Sequence, residues 1–150
     1  MNPRDAPLAE LYQALVLEHG RKPRHAALPV HADARAERDN PYCGDRVTLG
    51  IRIEAGTIVE VGFEADGCVI SLAAASLLCE AVHGTTPAAA RVLCARYLEL
   101  IAARAETWPA DLGALRAFAR VAMFPARSAC ASLACGALHE ALSVLARNAG

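Results

Sequence analysis

The sequence predicts an α+β fold, in which a small antiparallel sheet of about three strands packs against a helical half. Three observations predict it. Apolar and polar residues alternate with period two across residues 47–65. After Gly67 the period changes to that of a helix. Alanine, the best helix former, supplies 34 of the 150 residues. With no internal repeat and no low-complexity linker, the chain reads as one domain over residues 1–150.

The elements follow in order. Leu8, Leu11, Tyr12, Leu15 and Val16 recur at helical spacing over residues 8–19, with Gly20 as a stop and Pro23 against a restart. Residues 21–40 are polar and carry one candidate edge strand at 34–39. Val47, Leu49, Ile51 and Ile53 then alternate with Thr48, Gly50, Arg52 and Glu54. Ala55-Gly56 makes the turn, and Val59, Val61, Phe63 and Ala65 form the apolar face of the returning strand. Residues 70–82 form an alanine- and leucine-rich helix stopped at Gly84. Thr86 caps the next helix with Pro87 at its first position, and it runs to about residue 104. Trp108-Pro109 breaks the chain, Asp111 caps a short helix to about residue 121, and Phe124-Pro125 breaks it again. A last helix starts near Ser128, with Leu133, Ala137, Leu138, Ala141, Leu142 and Leu145 as its stripe.

Composition excludes several classes. At 55% hydrophobic residues the chain is too apolar to be disordered. A formal net charge of -1 does not suit a protein that tracks nucleic acid through its phosphates. No run of about 18 uncharged apolar residues predicts a membrane span, and no apolar segment of an export signal follows the polar start. The expected setting is the cytoplasm, where thiols stay reduced.

Six cysteines divide by position. Cys43 lies in the turn sequence Asn40-Pro41-Tyr42-Cys43-Gly44-Asp45, which can aim the thiol and the Asp45 carboxylate at one point. Cys68 and Cys130 are expected in the first turns of helices, where backbone N–H groups and the dipole favour a thiolate. Cys79 and Cys94 fall in mid-helix, and Cys135 lies about 140° round the last helix from Cys130. These three read as small buried hydrophobes. Zinc takes four donors of the loop and helix-start kind, but the 25- and 62-residue separations contain no C-x-x-C pair. Spacing therefore leaves two readings for Cys43 and Cys68: metal ligands, or ordinary turn and core residues. The five histidines are scattered and read as structural or surface, and Asp66 as a turn residue or a support to the ligands.

At these same residues the chain resembles the U-type iron–sulfur assembly proteins, the NifU-N-terminal or IscU-like family, and within it the SufU branch. Residues 11–24 are similar to the family's first helix and its exit. Asn40-Pro41-Tyr42-Cys43-Gly44-Asp45, Gly67-Cys68-Val69-Ile70-Ser71 with Ala74-Ala75-Ser76, and Phe124-Pro125-Ala126-Arg127-Ser128-Ala129-Cys130-Ala131 match its three signatures in order. Ala129 before Cys130, the absence of a Leu-Pro-Pro-Val-Lys segment and the added stretch 84–111 resemble SufU rather than IscU.

The resemblance implies a zinc ion held by Cys43, Asp45, Cys68 and Cys130. It implies that Cys43 accepts persulfide sulfur from a pyridoxal-phosphate (PLP)-dependent cysteine desulfurase of the SufS type and passes it toward downstream cluster scaffold proteins. The chain is then a sulfurtransferase-like partner rather than a free-standing enzyme. Arg127 has two readings, electrostatic support beside Asp45 or the leaving sulfur, and a solvated surface residue. Two other functions remain open: a scaffold that takes iron and assembles a [2Fe–2S] or [4Fe–4S] cluster on the same residues, and a structural zinc module that binds protein.

Overall fold

Alternation and turn chemistry build a hairpin from β2 (Arg46–Glu54) and β3 (Thr57–Asp66). The computed structural model describes the backbone of residues 6–41 and 44–149 and the side chains of residues 9–41 and 44–147. Ala55 and Gly56 close the hairpin with φ of 50° and 77°, the left-handed pair whose twist suits a two-residue turn. The expected edge strand forms as β1 (Ala34–Asp39) and gives an antiparallel sheet of order β1-β2-β3. Val47, Leu49 and Ile51 are fully buried. On β3 the core residue is Ile58 rather than the expected Val59. The register shifts between Arg52 and Ile53, so that Arg52 faces Glu60 and Ile53 faces Ile58. Val59 becomes the extra residue of a bulge, and the inward phase moves by one.

The outer edge of β3 is covered by the segment after the first helix and by the loop after the second. Phe63 N–H donates to the His25 carbonyl at 2.9 Å, and Ile58 N–H donates to Thr85 at 2.8 Å. His25 Nδ1 and His83 Nε2 donate to the Val61 and Val59 carbonyls. This pairing protects the edge from other strands. It also brings the Ala27 carbonyl so close to Gly62 that a Cβ there would overlap it.

The first helix, α1 (Ala6–Arg21), passes through Gly20, which was expected to stop it. Gly20 instead permits close approach, since a Cβ there would stand 2.5 Å from Val69 Cγ1 on α2 (Val69–Val82). Val16 is buried, whereas Leu11 of the expected stripe is 64% exposed. Most of α2 is buried, and Gly84 follows it at φ 82°. The Thr86 hydroxyl accepts from Ala89 N–H at 3.1 Å, and Pro87 opens α3 (Pro87–Ala103) as the sequence predicts. Asp111 caps nothing. It chelates Arg96 at 2.6 and 3.0 Å, while 3₁₀ turns span Ala110–Phe118, broken at Gly113, and Val121–Met123.

The last helix, α4 (Pro125–Ala149), begins three residues before the expected Ser128. Proline is suited to a first helical position, so the supposed break is the start. Leu133, Ala137, Leu138, Ala141 and Leu142 are buried as predicted, and α4 packs on α2, α3, β1 and β2. By length and composition alone α4 is apolar enough to cross a bilayer, but half of that stretch is buried inside the domain, as in a core helix. Tyr97 and Phe118 complete the core, with Tyr97 OH donating to the Ala131 carbonyl at 2.8 Å.

A buried polar cluster ties the exit of α1 to α2. Arg24 Nη1 donates to His19 Nε2 at 2.6 Å, which leaves Nδ1 to donate to Ser76 Oγ at 2.7 Å. Burial, and then the Arg24 charge, lower the His19 pKa against the opposing pull of Glu80 and Glu18.

Two outcomes follow from this packing. Gly62→Ala forces the strand away from Ala27 and lowers stability by about 1–3 kcal/mol, read from the urea midpoint. The folded state also resists a second proton on His19 more than the unfolded chain does. Stability is therefore lost as pH falls below the ordinary histidine value of about 6.5. Urea midpoints measured from about pH 7 to about pH 5 should fall in wild type and flatten in His19→Gln.

Candidate metal centre

Three ligand-type side chains from distant stretches converge where the sheet meets α2 and α4. Asp45 stands just before β2, Cys68 between β3 and α2, and Cys130 in the second turn of α4. One ligand atom from each lies within 4.8 Å of the other two. The loop before β2 is closed by Gly44 N–H donating to Asn40 O and Asn40 N–H donating to Asp45 O, each at 2.8 Å. Gly44 takes φ 79°, which suits glycine, and the turn delivers Asp45 inward. Cys43, the expected acceptor and fourth ligand, lies outside the described residues.

Asp45 is only 8% exposed. Its Oδ2 accepts from Ser71 Oγ at 2.7 Å and from Cys68 N–H at 3.3 Å. Burial works to raise the Asp45 pKa, but hydrogen bonds from Ser71, from the Cys68 thiol and backbone N–H, and from the Cys130 thiol outweigh it and hold the carboxyl below its ordinary range. Gly67 makes room, since a Cβ there would stand 3.0 Å from Asp45 Cγ.

Cys68 is the N-cap residue of α2, with extended backbone (φ -77°, ψ 171°) and no side-chain cap bond. Its thiol is therefore available elsewhere, and the residue is exposed. Cys68 Sγ lies 3.8 Å from Ser71 Oγ. Either atom can be the donor in this contact.

Cys130 departs from expectation. Because α4 starts at Pro125, Cys130 lies beyond the first turn and is 7% exposed. Burial, followed by the neighbouring Cys68 and Asp45, pushes its thiol up to about 12. The helix-start argument for a ready thiolate does not hold there. Two thiols and a carboxylate this close together form a donor set that both zinc and iron accept.

The other cysteines and the histidines do not join this group among the described residues. Cys79, Cys94 and Cys135 are buried, with Cys135 Sγ turned to the Cys94 carbonyl at 3.8 Å. Among the described residues no histidine joins the three ligands. Arg127 is exposed and lines, with Cys68, Val69, Tyr12, Val16 and Phe124, a groove of about 900 Å³. Asp66 is exposed. Outside their place in the matched motif, no local sequence signal gives Ser71 or Gly67 a role. Spacing does place Ser71, three residues on from Cys68, on the same side of the first turn of α2.

The fold and donor set describe a small α+β domain able to hold a metal between its sheet and two helices. The chain matches the family model described as NifU-like N terminal domain over residues 11–147, and it belongs to that family. It is thus a SufU/IscU-like member of the iron–sulfur cluster assembly proteins. It is 33% identical to the iron–sulfur cluster assembly scaffold protein IscU of Streptococcus pyogenes serotype M1, covering 90% of this chain and 84% of the relative. It is 29% identical to the zinc-dependent sulfurtransferase SufU of Bacillus subtilis (strain 168), covering 93% and 94%. A solved structure described as a putative iron–sulfur cluster assembly scaffold protein for the SUF system, from Fervidobacterium islandicum AW-1, superposes with a TM-score of 0.78 at 26% identity, covering 85% of this chain and 93% of that one.

Thiol exposure is directly measurable. In native metal-free protein a thiol-reactive reagent should modify Cys68 much faster than Cys79, Cys94 and Cys135, which should react only on unfolding. Peptide mass mapping of the labelled protein reads the order.

Proposed function

We infer that this protein is a zinc-binding sulfur acceptor of iron–sulfur cluster biogenesis. Cys43, Asp45, Cys68 and Cys130 are the zinc ligands, and Cys43 takes sulfur from a PLP-dependent cysteine desulfurase of the SufS type. The convergence of Asp45, Cys68 and Cys130 within 4.8 Å carries the reading. Similarity to a relative named a zinc-dependent sulfurtransferase supports it.

The transfer step is redox-neutral. The Cys43 thiolate attacks the outer sulfur of the donor persulfide. A new S–S bond forms at Cys43, the donor's S–S bond breaks, and the donor cysteine leaves as thiolate. Zinc, when bound, supplies the positive charge that keeps the ligand thiols deprotonated. Asp45 contributes a hard oxygen among soft sulfurs, a weaker ligand than a fourth thiolate. Arg127, on the groove that Cys68 also lines, offers positive charge to the leaving donor thiolate. The acquired sulfur then passes to downstream scaffold proteins.

A second reading is favoured by the 33% identity to a relative named as a cluster assembly scaffold. On it, the same ligands hold an iron–sulfur cluster, with the carboxylate making it transferable.

The deciding measurement combines metal content with desulfurase stimulation. Wild type should carry about one zinc and stimulate the desulfurase, whereas Cys43→Ala should not stimulate it. Incubation with desulfurase and cysteine should add about 32 Da to Cys43. Undiminished stimulation by Cys43→Ala would sink the acceptor role. A stable, transferable cluster after anaerobic reconstitution, with no sulfur adduct, would favour the scaffold.

A further inference from the structure

Ser71 occupies a special place beside this group. Its side chain is fully buried, and one hydroxyl touches two candidate ligands. It donates to Asp45 Oδ2 at 2.7 Å and stands 3.8 Å from Cys68 Sγ. Cys68 N–H adds a second donor to the same Oδ2 at 3.3 Å. Both donors come from the start of α2, so they hold one edge of the carboxylate against that helix. Gly67 presents no side chain to the carboxyl carbon, which lets it sit this close.

We propose that Ser71 is a positioning residue for the metal centre: its hydroxyl clamps Asp45 Oδ2 to the first turn of α2, leaving Oδ1 as the oxygen offered to the ion. This rests on the metal-binding reading above and deepens it. A carboxylate has two oxygens and several lone-pair directions. Without a clamp it can rotate, offer either oxygen, or leave the site. Fixing one oxygen selects the other and lowers the ordering cost of binding. Loss of such a supporting bond commonly weakens metal affinity by about 10- to 100-fold.

The test uses the full chain with zinc and with cobalt(II) as a spectroscopic stand-in. Affinity is read by competition with a chromophoric chelator, and ligand field by the visible spectrum of the cobalt form. Ser71→Ala should weaken zinc by about 10- to 100-fold and shift the cobalt bands, while Ser71→Thr, which keeps the hydroxyl, should restore both. Melting of the metal-free proteins checks the fold independently.

A double-mutant cycle guards against a threonine that does not fit. If Ser71 acts through Asp45, Ser71→Ala should cost little further affinity in an Asp45→Ala background. Unchanged affinity and spectrum in Ser71→Ala, or fully additive losses in the cycle, would overturn the positioning role. Wild type with no zinc and no sulfur-to-cobalt charge-transfer band would instead overturn the metal reading, and the positioning role with it.

Discussion

A carboxylate taken out of water must find donors, and Asp45 finds its nearest two on a single helical turn. Its bonds to Ser71 Oγ and Cys68 N–H fasten the loop before β2 to the start of α2. The sheet and the helical half thereby meet at a defined point rather than through apolar contact alone. Such a bond is costly to leave unmade, because the buried oxygen would lose a partner without regaining water. It also explains the small residue at position 67. A Cβ there would stand 3.0 Å from the carboxyl carbon and crowd the group that joins the two halves.

The helix that delivers the third candidate ligand is also the central strut of the domain. α4 packs against the sheet and both longer neighbouring helices. Its buried leucine and alanine face sets the distance at which Cys130 meets Asp45 and Cys68. Placing a ligand on a core element gives the centre rigidity, while Cys68 at an exposed helix start gives it access. The groove lined by Cys68 and Arg127 opens on the same side. A centre that combines one exposed sulfur with one buried sulfur is suited to holding a metal while still admitting a reaction partner.

Much of the fold was legible because its signals are local. Thr86-Pro87 identifies a helix start through one hydroxyl and one fixed φ, both properties of adjacent residues. The hairpin is equally local, since period two and Ala55-Gly56 need no distant partner. The departures from local expectation share a different origin. Strict alternation places Val59 inward and has no means of showing a bulge, which depends on the pairing with β2. Gly20 resembles a stop in the sequence, whereas the approach of Val69, which makes glycine necessary there, comes from another helix. Asp111 had the chemistry of a cap, but Arg96 on α3 claims both its oxygens.

The centre divides along the same line. The sequence by itself supplied the candidate donors. Turn positions and the resemblance to the family's signatures pointed to Asp45, Cys68 and Cys130 with Cys43 as candidates, and mid-helix apolar surroundings assigned Cys79, Cys94 and Cys135 to the interior. Only the tertiary structure decided which candidate donor atoms stand together, that Cys130 is buried rather than open at a helix start, and that Ser71 and Gly67 shape the seat of Asp45. The physical reason is range. Side-chain periodicity and caps are written within a few residues, whereas the approach of positions 45, 68 and 130 is fixed by how three separately encoded elements pack.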